Sequence, residues 1–293
     1  MHRVSQRPQR TLQNTVEVRG HGYLTGAAVR VRFRPAPPDT GIVFLRSDLK
    51  NAPPLSARAM NVTGTNRRTT LGRAPAQVEM VEHVLATLYA LKIDNCCIEL
   101  NAPELPGLDG SARDFVKELV GAGLTLQAAR RTIWTTDVPI TVSEGQATLT
   151  FYPASTQQLK VSYHLDYGTH SPLGLQRHTE VVTPESFLND LGQCRTFLLE
   201  QEAVALRQQG FGRNTSPSDL LVFGQQGPIA NRLRFANEPA RHKILDIVGD
   251  LSLCGHDLAG HVVGYRSGHA LNVALVRKLL EAMDMPAPLP LAA

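Results

Sequence analysis

Twice in its 293 residues this chain runs through the same grammar. An amphipathic helix opens on a charged residue followed by histidine (Glu82-His83, then Arg241-His242). A short strand follows, and a Gly-x pair (Gly110-Ser111, then Gly268-His269) opens a second helix. The histidine and the later glycine are separated by nearly the same number of residues each time. Each unit needs a partner to bury its apolar face, so two similar strand-plus-two-helix units packed through their helices satisfy the pattern. That packing draws both histidine-bearing helix starts toward one cleft. The expectation is an α+β fold, a duplicated β-α-α-β sandwich with the active site between its halves. The alternative is chance recurrence of a common strand–helix grammar.

Alternating segments at 15–19, 28–33 and 41–45 predict strands separated by Gly/Pro turns. Val78, Val81, Val84, Leu85, Leu88 and Leu91 then recur at helical spacing and predict a helix from 77 to about Lys92. A strand at 95–100, a Pro/Gly loop at 102–110 and a helix at 111–120 follow. A break at 124–131 divides the chain into a first unit, 1–127, and a second, 128–285, with 286–293 a loose Pro/Ala-rich tail. In the second unit strands are predicted at 133–134, 140–142, 147–151, 159–165, 220–223 and 259–265. Helices are predicted at 184–191, 198–208, 239–254 and 268–283.

Hydrophobic residues make up 42% and charged residues 19%, enough for a sizeable core. The net charge of +4 suits an anionic small-molecule partner, but no dense Lys/Arg run with interleaved aromatics marks a nucleic-acid surface. Four cysteines without a C-x-x-C spacing give neither a disulfide framework nor a thiolate zinc site, so a reducing, cytoplasmic compartment is expected. The basic start, Met1 to Arg10, lacks the apolar run of a secretory signal, and no stretch approaches about 18 uninterrupted apolar residues.

His242 and Asp246 stand four apart, so one helix face carries both, and Asp250 continues it by a turn. Ile244, Leu245, Ile247, Val248 and Leu251 make the rest of that helix apolar. A half-buried imidazole with two carboxylates is costly unless paired or metal-bound. Spacing alone leaves two readings open: a cation-binding pair, or an ordinary helix-start histidine with salt-bridged carboxylates, the commoner case. His83 can supply a third ligand, and two His with one carboxylate leave a catalytic zinc an open position. Glu82 is then a candidate base, or simply an acidic residue favoured at a helix start. His269, after the N-cap candidate Ser267, can protonate a leaving amine with Asp250 orienting it. Lys243 can meet an anionic substrate or oxyanion, or be solvated. Thr196 and Phe197 carry no signal by themselves.

Taken in order, Val81-Glu82-His83, Ile93-Asp94-Asn95, the run APELPGLDGS at 102–111, Arg195-Thr196-Phe197, the run NEPARHKILDIVGDL at 237–251 and SGHALN at 267–272 resemble UDP-3-O-acyl-N-acetylglucosamine deacetylases. These are zinc enzymes of lipid A biosynthesis, and the resemblance runs from about 10 to about 283. It implies a cytoplasmic hydrolase that removes the N-acetyl group, in the committed step of that synthesis, leaving UDP-3-O-acyl-glucosamine and acetate. It implies metal ligands at His83, His242 and Asp246, holding Zn2+, with Fe2+ tolerated by the same donors. The implied base is Glu82, and the implied acid is His269 with Asp250 as its partner. Lys243 lies near substrate, Thr196 stabilises the tetrahedral oxyanion, Phe197 packs on the sugar, and Arg266 stands where many members carry lysine. The implied acyl passage lies around 197–206 and Phe211. A monomer with no nucleic-acid partner is expected.

Three departures from the family pattern concern substrate contacts and acyl-chain length: Leu24 replaces a usual histidine, 210–217 replaces a Gly-Gly-Ser stretch, and Glu79-Met80 replace a small polar pair. They leave room for a related zinc amidase acting on another acylated amino sugar. A non-catalytic binding protein of the same fold is the third possibility, and it has no need of the full set of metal and acid/base residues.

Overall fold

The structure, a computed structural model, describes residues 1–212, 214–217 and 219–284. The expected loose tail at 286–293 lies outside them. The chain begins with β1 (His2–Leu12), β2 (Val16–His21), β3 (Ala28–Pro35), β4 (Ile42–Arg46) and β5 (Leu55–Ser56). Three short strands, β6 (Val62–Gly64), β7 (Thr70–Leu71) and β8 (Val78–Glu79), lead into α1 (Glu82–Ala90), β9 (Cys96–Leu100) and α2 (Arg113–Gly121). The chain then passes through β10 (Leu124–Thr135), β11 (Ile140–Glu144), β12 (Ala147–Tyr152), β13 (Leu159–Asp166), β14 (Leu175–Val181) and α3 (Pro184–Asn189). It closes with β15 (Phe197–Leu199), α4 (Glu200–Gln208), β16 (Leu221–Gly224), β17 (Gly227–Pro228), α5 (Glu238–Ser252), β18 (Asp257–Leu258), β19 (Gly260–Tyr265) and α6 (His269–Asp284).

The architecture is α+β. One five-stranded sheet has the order β2-β3-β9-β4-β5 and another β11-β12-β19-β13-β14. Both are antiparallel except for one central parallel pair, β4–β9 in the first and β13–β19 in the second. Alternation explains the facing: Val29, Val31 and Phe33 of β3 point inward while Arg30, Arg32 and Arg34 point out. Phe33 meets Phe115 of α2 edge to face, 6.1 Å between centroids. On the other side α5 packs on β13 and β14, and α6 on β11 and β12.

Helix α1 is buried on every side, which is why its sequence is apolar nearly all round. It packs against α5, and Gly249 permits the closest approach: a Cβ there would stand 2.2 Å from the main-chain oxygen of Glu82.

Two expectations need correction, and one strand lies beyond them. The break expected at 124–131 is instead part of the twelve-residue strand β10, antiparallel to β1, so position 127 falls inside a strand. Both strands are rich in Arg, Gln and Thr and lack the apolar alternation of a half-buried strand. Their ladder is reinforced by ions: Arg7 reaches Asp94 and Asp257, each at 2.7 Å, and Arg131 adds a contact to Asp257 at 3.2 Å. The first helix starts at Glu82 rather than 77, because 78–79 pair as β8 and Met80 takes a left-handed φ of 60° that helical backbone does not allow. The polar strand β14 was not expected at all. Among the described residues no helix is long and apolar enough to cross a membrane.

Candidate active site

Three helix segments converge. The first turn of α1 carries Glu82 and His83, successive turns of α5 carry His242, Asp246 and Asp250, and the first residue of α6 is His269. All six are buried. Donor atoms of His83, His242 and Asp246 lie within 4.8 Å of one another. Oδ1 of Asp246 is 3.4 Å from Nε2 of His242 and 3.9 Å from Nε2 of His83, and the two rings meet edge to face at 5.0 Å.

Their protonation suits a cation. His242 donates from Nδ1 to the Cys194 carbonyl at 3.0 Å, which leaves the Nε2 lone pair facing inward. Burial, and then the neighbouring His242, pull His83 down to about 3; burial also lowers His242. Burial pushes Asp246 up, yet its cationic surroundings, the Lys243 ammonium foremost, outweigh it and hold the carboxyl well below its usual range. Two neutral imidazoles and an ionised carboxylate fit a divalent transition-metal ion. A second group among the described residues, His178, Glu180 and Asp190, is only half-buried, and Arg241 already holds Asp190.

Beside this triad stand an acid and a base that are both raised, so that Glu82 is held toward its neutral form and His269 toward its charged one. Burial raises Glu82 to about 7, against the pull of His269 and with the help of Asp250 and Asp246. Burial lowers His269, but Asp250, Glu82 and Asp246 overcome it and raise the imidazole to about 9. His269 Nδ1 donates to Asp250 Oδ2 at 2.8 Å, and its Nε2 lies 3.9 Å from Glu82 Oε1. Asp250 also accepts from Asn272 Nδ2 at 2.9 Å and from Thr69 Oγ1 at 2.6 Å, and the Thr69 amide donates to Glu82 Oε2 at 3.0 Å. Neither Thr69 nor Asn272 stands out by sequence. Asn272 shares a helix face with His269 by its i+3 spacing, which could have marked it. Thr69 is a plain loop threonine with no comparable signal.

These groups open onto a cavity of about 810 Å³. Glu82, His83, Thr196, Phe197, His242, Lys243, Asp246, Arg266 and His269 all line it, whereas Asp250 lies behind His269. Lys243 gives its ammonium to Asp246 Oδ2 at 2.7 Å. Thr196 is fixed by main-chain bonds to Gly110 and Leu221. Phe197 packs edge-on against His242, Tyr167 and Phe223. Arg266 has a left-handed φ of 52°, and its guanidinium is engaged by Asp166 at 2.8 Å and Gln146 at 2.6 Å. Left-handed non-glycine residues at a cavity wall, here Arg67, Met80 and Arg266, cost energy that the surrounding packing must cover.

The departures lie at the same wall. Leu24, Met80, Phe211 and Thr215–Pro217 line the cavity, while Arg213 is outside the described residues. Leu24 sits on a loop pinned by Glu104, which accepts the amides of Leu24 and Thr25 at 2.8 and 3.0 Å. Glu79 is paired with Arg68 at 2.6 Å. Ala203, Leu206 and Val222 give one stretch of the wall an apolar lining.

The family model described as LpxC, UDP-3-O-acyl N-acetylglycosamine deacetylase, matches residues 9–281. The UDP-3-O-acyl-N-acetylglucosamine deacetylase of Geobacter sp. (strain M21) is 39% identical, over 94% of this chain and 90% of its own length. The protein of the same name from Chlamydia caviae is 37% identical over 95% of this chain and 99% of its own. That from Pseudomonas entomophila is 38% identical over 94% and 91%.

Proposed function

The chain belongs to the UDP-3-O-acyl-N-acetylglucosamine deacetylase family, and on that premise we propose that its buried His/His/Asp centre carries the family's reaction. That reaction is hydrolysis of the N-acetyl group of UDP-3-O-acyl-N-acetylglucosamine in lipid A biosynthesis. His83, His242 and Asp246 hold the metal, for which we assign Zn2+, with Fe2+ suited to the same donors. When bound, such an ion supplies Lewis acidity for the acetamide carbonyl and for water.

The chain's own groups do the proton work. Glu82, ionised, takes a proton from the attacking water through the oxygen that faces the cavity. His269, protonated, gives its Nε2 proton to the departing amine, while Asp250 holds Nδ1 and so keeps the ring aimed. Lys243 and Thr196 flank the place where negative charge develops on the acyl oxygen, an electrostatic contribution that weighs heavily in acyl transfer. Phe197 packs on the sugar, Arg266 borders the polar part of the substrate, and the lining around 198–206 with Phe211 takes the acyl chain. We read residues 1–127 and 128–285, whose seam runs through β10 and not through a loop, as two copies of one unit, supported by the shared order and sense of their five-stranded sheets. The enzyme acts as a cytoplasmic monomer.

The observation that carries this reading is geometric: a buried His83/His242/Asp246 triad with a carboxylate and an imidazole 3.9 Å apart beside it, the first raised to about 7 and the second to about 9. The test is acetate release from UDP-3-O-(3-hydroxyacyl)-N-acetylglucosamine, with and without a chelator and with zinc restored. Chelator-sensitive release recovered by zinc supports reaction and ion together. No release by zinc-loaded protein moves the substrate to another acylated amino sugar, in keeping with the altered wall at Leu24, Met80 and Phe211.

A further inference from the structure

We propose that Thr69 is a positioning residue for both proton-transfer groups, through its amide on Glu82 and its hydroxyl on Asp250 and His269. The inference rests on the roles assigned above to Glu82 and His269. Thr69 lies in the turn between β6 and β7 and is fully buried, although its neighbours Thr65 to Arg68 line the open cavity.

Each of its polar atoms is committed. The amide donates to Oε2 of Glu82 at 3.0 Å, which leaves Oε1 as the oxygen turned toward His269. The carbonyl accepts from the Val81 amide at 3.4 Å, so Thr69 brackets the start of α1 from both sides of its own main chain. The hydroxyl donates to Oδ1 of Asp250 at 2.6 Å, and its oxygen is 3.3 Å from Nδ1 of His269.

A carboxylate held by one oxygen can swivel about its Cβ–Cγ bond; one held by both cannot. With Oδ1 taken by Thr69, Oδ2 of Asp250 stays where His269 Nδ1 and Asn272 Nδ2 meet it, at 2.8 and 2.9 Å. Glu82, Asp250 and His269 come from three different helices, and Thr69 belongs to none of them. Among the described residues it alone hydrogen-bonds to both carboxylates. It therefore sets the relative placement of base and acid, which the α1–α5 contact alone leaves free to rotate.

Two substitutions separate hydroxyl from fold. Thr69→Val keeps the shape and the amide but removes the hydroxyl; Thr69→Ser keeps both polar groups. Loss of a charge-assisted bond that orients a reacting group should lower kcat about tenfold or more in the valine variant, with KM within about twofold and bound metal per chain unchanged. The serine variant should recover most of that loss. An undiminished kcat in Thr69→Val, or a loss that follows metal content or is not restored by serine, overturns the proposal.

A second readout does not depend on turnover. The proton shared by His269 Nδ1 and Asp250 should give a downfield proton resonance, assigned by its disappearance in His269→Gln. It should persist in Thr69→Ser and shift upfield or broaden in Thr69→Val. An unchanged resonance in Thr69→Val overturns the positioning role even in a chain that proves inactive on the nucleotide-sugar, where the assigned reaction rather than Thr69 would be at fault.

Discussion

Lys243 holds Oδ2 of Asp246 at 2.7 Å from three residues away on α5, leaving Oδ1 as the oxygen that faces His242 at 3.4 Å and His83 at 3.9 Å. Burial alone would lower the lysine, but Asp246, helped by Tyr163, keeps it raised and charged. The ammonium thus keeps the ligand ionised while it faces the cavity itself. On the role proposed for Lys243, Lys243→Met should weaken metal binding and, at saturating metal, lower kcat by about tenfold or more. Metal analysis beside steady-state kinetics checks both halves.

The activity should be bell-shaped in pH. Glu82 must be deprotonated, so rate falls as pH drops through its raised value of about 7, and a divalent cation nearby draws that limb lower. His269 must be protonated, so rate falls again as pH rises through about 9. Asp250 is the main charge holding His269 up, so Asp250→Asn should move the alkaline limb to lower pH. A profile of kcat/KM against pH that is flat, or an alkaline limb unmoved by Asp250→Asn, would falsify the pairing.

Removing a ligand and removing the acid should have different signatures. His242→Ala takes away a donor whose orientation Cys194 fixes, and most bound metal should go with it. His269→Ala should keep the metal and lose turnover, as should Glu82→Ala. Metal content and single-turnover rates on the three purified variants decide the assignment.

Gly249→Ala tests the helix contact. Its methyl would lie 2.2 Å from the Glu82 carbonyl oxygen, so α1 and α5 must separate. A cost of about 1–3 kcal/mol is expected for such overpacking, read as a lower Tm. Metal affinity should fall with it, because His83 and His242 ride on the two helices. Unchanged Tm and metal affinity would mean that the helices do not need this close approach.

What the sequence reveals depends on how local the information is. Helices α5 and α6 follow from apolar periodicity, and the His242–Asp246 pair follows from an i,i+4 spacing on a face whose burial the neighbouring Ile and Leu residues announce. The placement of His83 beside them is non-local; only the recurrence of the helix pattern and the family resemblance point to it. The β1–β10 ribbon was illegible because its polar residues are held by a backbone ladder and by Arg7, whose partners Asp94 and Asp257 are far off in the chain. Thr69 was invisible for the same reason: its partners lie 13 to 200 residues away.

The two five-stranded sheets run in the same order, yet matching places in the two halves have unlike duties. Where α6 begins on His269, the corresponding Gly-x pair before α2 offers Ser111, whose hydroxyl is spent on Asp109 at 2.6 Å. Asp109 in turn takes Arg234 at 2.7 Å, so that end of the first half serves as a brace. Backbone symmetry joined to side-chain asymmetry gives a division of labour. The same helix start is thus put to two uses, one tying the halves together through Asp109 and Arg234, the other turning His269 toward the cavity.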